Sequence, residues 1–352
     1  MRVQDLDTPV VTIHLDVMED NIRRVQAHLD RHGIGNRAHI KTHKIPAIGR
    51  RQLEAGARGI VCQKIGEIEV FADHGVTPDV LLAFNVIGRD KLDRLMAVAR
   101  RVERLTVVLD NEVVARGLSE AAVRHGRDVH FLIECDTGYG RNGVQTPEES
   151  LALAQQVMRL PRMDFQGLMT FPNRDPDSRV FFERAFELFK RAGIPVPIVS
   201  GGGTPALLTV ERFPMLTEHR AGTCVFNDAA TVRSGWATWA QCAMRVRATV
   251  VSRPHDGRAI VDCGTKVLTS DRSGMPGYGH VLEHPEAVIT AVDEEHGTLD
   301  LTRCPEQPRV GDVVNIVPNH CCVVSNMVDE LVGVRGDQVE VVWPVAARGR
   351  VR

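Results

Sequence analysis

The chain lacks any apolar run long enough to span a membrane, and its first residues carry no signal-peptide hydrophobic segment. It begins directly with structure-forming sequence and is expected to be cytoplasmic. It lacks an excess of charge of either sign. The formal net charge is −2, which gives no footprint for nucleic acid or for an anionic membrane surface. Aromatic residues make up only 5%, and Tyr139 and Tyr278 are the only tyrosines. Eight cysteines stand at irregular spacing, which is not the pattern of a disulfide framework. Cys62, Cys135, Cys242 and Cys263 sit inside apolar runs, where buried, reduced thiols are expected. Internal repeats and low-complexity segments are absent as well.

What is there is an ordinary globular composition, 43% hydrophobic and 25% charged over 352 residues, enough for two domains with sizeable cores. Val10 to Leu15 reads as a strand, and the stripe Val17, Ile22, Val25 and Leu29 as an amphipathic helix. Short apolar strands then alternate with helical stripes: Ala38 to Ile40, Gly59 to Gln63, Val80 to Phe84, Leu105 to Leu109, Val129 to Cys135, Phe165 to Thr170 and Ile198 to Ser200. This alternation, repeated about eight times, predicts a parallel sheet covered by helices. Strands that are continuous apolar runs are buried on both faces. The class is α/β, a (β/α)8 TIM barrel, in preference to an open doubly wound sheet. After about Trp236 the pattern becomes β-rich with Gly, Asp and Pro turns, which predicts a second, mostly antiparallel domain. The expected division is a barrel over 10–235 and a β-rich domain over 236–352, with residues 1–9 joining either.

In such barrels the active site lies at the C-terminal ends of the strands. Lys41, Gln63, Arg141, Thr170 and the turn Gly201-Gly202-Gly203-Thr204 all fall just after predicted strands. Lys41 stands in Arg37-Ala38-His39-Ile40-Lys41-Thr42-His43-Lys44. Burial, with Arg37 and Lys44 as neighbouring cations, would favour the neutral amine that Schiff-base chemistry needs. Read alone, the stretch is also a basic surface turn. Glycines let backbone amides approach an anion closely, so Gly202, Gly203 and Thr204, with the second turn Gly222-Thr223, are candidate phosphate donors. His320 and Cys322 supply a borderline-soft donor pair that suits zinc. Read as an extended strand, this pair shares one face and Cys321 turns inward for packing. Asp262 to Lys266 and Glu294 to Gly297 read as turn chemistry between strands, with reach to an active site, that of a partner subunit included, as the alternative.

Thr8-Pro9-Val10, the Lys41 stretch, Cys62-Gln63-Lys64, the triple glycine and Pro318-Asn319-His320-Cys321-Cys322 occur in one order from Thr8 to Arg348. Together they resemble the pyridoxal-phosphate enzyme family of D-threonine aldolase and D-serine dehydratase, which shares the alanine racemase fold. The resemblance implies Lys41 as the residue that binds pyridoxal 5'-phosphate, with His39, Gln63, Arg141, Thr170, Gly202, Gly203, Thr204, Gly222 and Thr223 around the cofactor. It implies a divalent metal, zinc first and manganese or magnesium as alternatives, at His320 and Cys322, the His-x-Cys form seen in the dehydratases. It also implies a D-β-hydroxy-α-amino acid as substrate and a head-to-tail homodimer. Aldol cleavage to glycine and an aldehyde is the expected reaction, with β-elimination to a 2-oxo acid and ammonia as the alternative. A racemase would need a second acid or base, for which neither tyrosine has a place. A single-domain cofactor carrier is opposed by the β-rich domain. The stretch Met169-Thr170-Phe171-Pro172 departs from both branches of the family, which carry an aromatic residue or His after that strand.

Overall fold

The computed structural model describes residues 1–352. In chain order the elements are β1 (Val10–His14), α1 (Leu15–Arg31), β2 (Gly35–His39), α2 (Pro46–Glu54), β3 (Gly59–Cys62), α3 (Ile65–Asp73), β4 (Asp79–Leu82) and α4 (Arg89–Ala99). There follow β5 (Arg104–Leu109), α5 (Glu112–His125), β6 (Val129–Cys135), α6 (Pro147–Val157), β7 (Met163–Thr170), α7 (Asp177–Arg191), β8 (Ile198–Gly202) and β9 (Glu218–Arg220). The remaining strands are β10 (Met244–His255), β11 (Arg258–Val261), β12 (His280–Val281), β13 (Val288–Val292), β14 (Gly297–Asp300), β15 (Val313–Val317), β16 (Glu330–Arg335) and β17 (Gln338–Pro344). The chain divides into two compact units. One comprises Val25–Lys41, Pro46–Gly222 and Arg350–Arg352; the other comprises Met1–Arg24, Thr42–Ile45 and Thr223–Gly349.

The barrel unit closes β2 to β9 into a ring of eight parallel strands. β2 meets β9 through Gly35 opposite Glu218 and Asn36 opposite His219. Val61, Leu81, Val108, Leu132 and Met169 fill a common cluster on adjacent strands, and their removal from water is the main force holding the ring shut. The helices are cut to length by local chemistry. Asn111 accepts the Val114 N–H ahead of α5, and Gly126 ends that helix in the left-handed region at φ 64°. Thr146 and Glu149 cap α6 reciprocally around Pro147. Gly167, at φ +141°, marks a register shift between β6 and β7. A Cβ there would stand 1.9 Å from the Ile198 carbonyl oxygen.

The count of eight strands is as expected, but the membership differs by one. β1 does not enter the barrel. It pairs antiparallel with β10 and parallel with β16 in the sheet β13-β14-β11-β10-β1-β16-β17 of the other unit. The eighth place in the ring is taken by the short β9, and the division falls at Gly222/Thr223 rather than after residue 235. In the β-rich unit the two suspected turn motifs meet each other. Lys266 pairs with Glu295, and the Thr265 N–H donates to the Asp293 oxygen at 2.7 Å.

Candidate active site

Lys41 lies in the single 3-10 turn Ile40–Thr42 that follows β2, at the C-terminal end of its strand. His39, the last residue of β2, is buried beneath it. The Gln63 side-chain amide donates to the Ala83 oxygen at 2.6 Å, which turns its own oxygen toward His39 Nε2 at 3.2 Å. That oxygen can only accept, so the imidazole carries its proton on Nε2. Burial, then the charges of Lys41 and Arg220, hold the His39 pKa well below its usual value, so the ring is neutral at physiological pH.

Two side chains from later strand ends gather near Lys41. The Lys41 ammonium stands 5.9 Å from the centre of the Phe171 ring, and the Arg141 guanidinium stands 4.9 Å from the same centre. Tyr139 meets Phe171 edge-on at 5.6 Å, and the Arg174 guanidinium lies 5.6 Å from the Tyr139 ring. Cations over aromatic faces are held by the ring quadrupole. Phe171 is therefore the shared platform of this rim, a role that the reading of the sequence did not assign to it. Arg37 is not the neighbouring cation expected for Lys41. Its guanidinium is bound by Glu218 at 2.9 Å and Asp79 at 3.0 Å. These are the first residues of β9 and β4, so the charge is drawn to the opposite end of the barrel.

The glycine turn is built for close packing. A Cβ on Gly202 would meet the Arg220 oxygen at 2.8 Å, and one on Gly201 would meet Leu216 at 2.7 Å. The expectation that the Gly202 and Gly203 amides point at an anion is not met. Gly202 N–H donates to Asn173 Oδ1 at 2.7 Å, and Gly203 N–H to the Arg220 oxygen at 3.0 Å. The same Asn173 leaves its side-chain nitrogen buried and without a hydrogen-bond partner, a donor whose acceptor the polypeptide does not supply. That orphaned donor beside the turn fits an anionic group such as a phosphate. Arg220 is buried and holds the floor of the turn, donating to Ser200 Oγ at 2.6 Å and the Thr170 oxygen at 2.7 Å. Burial pulls its pKa down to about 10. Thr170 offers no free hydroxyl: it lies 2.9 Å from Thr137, which also lies 2.6 Å from Ser178. Asn173, Arg220 and Phe171 could not have been found from the strand pattern, because Phe171 and Asn173 follow β7 while Arg220 ends β9, and only the fold brings these two strand ends together.

In the β-rich unit, His320 and Cys322 come together, but not in a strand. His320 is the residue before the helix Cys321–Met327 and Cys322 lies in its first turn. Asp228 accepts the Cys321 N–H at 3.0 Å, so a helix start replaces the extended run. Cys321 is fully buried, as expected. The His320 pKa is pushed up to about 9, first by its hydrogen bond with Cys322, against burial, and then by the charges of Cys322, Asp228 and Asp271. His320 Nδ1 lies 3.3 Å from Ser273 Oγ and 3.7 Å from the Asp271 carboxylate. Thr42 and Thr223 hydroxyls stand 3.2 and 3.8 Å from Cys322 Sγ, so the Thr223 hydroxyl faces the thiol rather than a phosphate. No cluster of three or more His, Cys, Asp or Glu donors forms. The imidazole and thiol are a two-residue donor pair whose chemistry suits a borderline-soft divalent ion.

The chain is similar to known proteins over nearly its whole length. The alanine racemase N-terminal domain family matches residues 13–230, and the putative serine dehydratase domain matches residues 243–334. The chain is 34% identical to a D-threonine aldolase of an Arthrobacter species, over 98% of this chain and 93% of that protein. It is 32% identical to the D-threo-3-hydroxyaspartate dehydratase of a Delftia species, over 91% of this chain and 92% of that one. The crystal structure of D-threonine aldolase from Filomicrobium marinum superposes with a TM-score of 0.89 at 32% identity, covering 100% of this chain and 98% of that one. Structures of a D-threo-3-hydroxyaspartate dehydratase include a His-to-Ala variant and, two positions further on, a Cys-to-Ala variant in a metal-free form. Each is 29% identical and covers 98% of this chain, with 96% and 98% of the other chain covered and TM-scores of 0.87 and 0.86.

Proposed function

The chain belongs to the D-threonine aldolase and D-serine dehydratase family on the alanine racemase fold, and from that premise we propose that it cleaves D-β-hydroxy-α-amino acids between Cα and Cβ, giving glycine and an aldehyde. It is a pyridoxal-phosphate-dependent lyase. The observation that carries aldol cleavage is similarity to D-threonine aldolase over 98% of the chain.

Bound pyridoxal phosphate supplies an electron sink for charge that develops at the substrate Cα. Lys41 would hold it, and its amine would take or return a proton at Cα. His39 presents a neutral ring whose orientation Gln63 fixes. The buried Asn173 amide and Thr204 are the donors proposed for the phosphate, with Gly222 beside them, and Arg220 holds the floor of that turn. Arg141 would face the pyridine ring of the cofactor. A divalent ion, zinc by the donor set, would be held by His320 and Cys322 and would supply Lewis acidity toward the β-oxygen.

Cys322 supports a second reading, β-elimination to a 2-oxo acid and ammonia. Its spacing from His320 is that of the two positions replaced in the dehydratase variants. In that reaction Lys41 would take the Cα proton and the β-hydroxyl would depart as hydroxide, so no further base is needed, whereas cleavage needs a base for the β-hydroxyl proton, and Thr170 cannot be one.

The test is one incubation of purified protein and pyridoxal phosphate with D-threonine, before and after EDTA. Glycine and acetaldehyde, lost with EDTA and restored by zinc or manganese, are the expected products. 2-Oxobutanoate and ammonia would replace the first reading with the second. Full activity in Lys41→Ala would overturn both.

A further inference from the structure

Arg141 is carried on the tip of the loop between β6 and α6, and the base of that loop is tightly fastened. The Asp136 carboxylate accepts the N–H groups of Gly138, Tyr139 and Gly140 at 3.0, 2.8 and 2.9 Å. Gly143 N–H donates to Asp110 at 2.9 Å, and Val144 N–H to the Glu134 carbonyl oxygen at 2.9 Å. The Arg141 side chain itself is about half exposed, at 48%. A long cationic side chain at such a position has many rotamers to lose. Its place over Phe171 needs a further restraint, and one is present.

Glu134, near the end of β6, has its side chain only 3% exposed. Its carboxylate accepts the Asn142 side-chain N–H at 2.6 Å and stands 3.7 Å from the Arg141 guanidinium. Asn142 in turn accepts from Arg141 Nε at 2.9 Å. The three side chains form a closed clamp, in which the one buried carboxylate holds the exposed cation directly and through an amide. We infer that Glu134 is the positioning residue for Arg141, fixing its guanidinium on the Phe171 ring that Lys41 also approaches. The inference rests on the cofactor reading given above.

The clamp is sensitive to pH. The groups facing Glu134 are Arg141 and Asn142 on its own loop, Arg220 from β9 and Asp110 from the end of β5. Burial pushes the carboxyl pKa up to about 7, with Arg141 and Arg220 opposing and Asp110 assisting. Above that pH the carboxylate holds Arg141. Below it the acid is neutral, the ion pair is lost and the guanidinium returns to solvent. With the Arg141 end of the clamp half exposed, opening it is expected to change an affinity that depends on it by about fivefold.

The test titrates pyridoxal 5'-phosphate into the purified full-length protein at pH values from about 5.5 to 8.5. It follows the visible band of the bound cofactor and its dissociation constant in wild type and Glu134→Gln. The ionisations of the free cofactor are common to both proteins, so the difference between them is the readout. Wild type is expected to lose roughly fivefold in affinity as pH falls through the Glu134 transition. Glu134→Gln is expected to sit near the low-pH level throughout, with the step absent. Far-UV circular dichroism checks that the variant folds. If it does not, Asn142→Ala opens the same clamp from the exposed side and must weaken binding at high pH. A pH course in Glu134→Gln identical to wild type, or unchanged affinity in Asn142→Ala, overturns the role of Glu134 and leaves the cofactor reading standing. The absence of a bound-cofactor band in wild type at every pH overturns the cofactor reading and this inference with it.

Discussion

Replacing Arg37 by Met should destabilise the barrel without touching the rim that carries Lys41. The Arg37 side chain is 2% exposed and the Glu218 side chain 1%. It bonds Glu218 on β9 at 2.9 Å and Asp79 on β4 at 3.0 Å, from a strand hydrogen-bonded to β3 and β9. It thus ties together strands on both sides of the point where the ring closes. Met keeps most of the aliphatic volume, so the loss is mainly electrostatic. Breaking a buried pair by removing one partner costs about 3–5 kcal/mol, because the other charge remains buried. Glu218 keeps two partners, the Ser200 hydroxyl at 2.7 Å and the half-exposed Arg58 at 3.6 Å, which places the cost near the lower end, about 3 kcal/mol. For a unit of this size that corresponds to a fall of roughly 6–12 °C in Tm. Thermal and urea unfolding followed by circular dichroism would measure it. The double variant Arg37→Met/Glu218→Gln decides the cause. If the uncompensated Glu218 charge is responsible, the double variant loses less than the sum of the two singles by at least about 1 kcal/mol. Strict additivity would refute the reasoning, since Arg37 would then act by packing alone.

Acid should weaken the fold through His219. Burial pulls its pKa down to about 3 from 6.5, so the unfolded chain binds the proton first and stability falls as pH drops below 6.5. At pH 5 the cost is about 2 kcal/mol. Urea unfolding at pH 7 and pH 5 should show a smaller loss in His219→Gln than in wild type, and equal losses would remove His219 as a cause. At the donor pair, Asp271 and Ser273 both lie near His320 Nδ1, which leaves Nε2 to face a metal. Asp271→Ala should weaken zinc binding roughly tenfold, measured by competition with a chromophoric chelator. Unchanged affinity would mean that the ring is oriented by other contacts.

The barrel was legible because parallel strands buried on both faces are short apolar runs separated by helical stripes, and the place of Lys41 at a strand end was legible because it ends such a run. The first strand misled for the same reason. Val10–His14 is as apolar as a barrel strand, and only its partners, Val246 and Gly333 among them, place it in the other sheet; nothing local encodes a pairing more than two hundred residues away. Cys321–Met327 misled in the opposite sense. Cys-Cys-Val-Val has the composition of a strand, yet Asp228 caps its first amide, and tertiary context overrides propensity. The triple glycine shows a subtler limit. Its spacing announces amides close to something, but not what. Here two of the amides are taken by Asn173 and by the Arg220 carbonyl, and the donor left for an anion is the nitrogen of Asn173 itself. A glycine-rich turn read as an anion cradle should therefore be checked for the side chain that has already filled it, because that side chain is then the residue whose substitution tests the site.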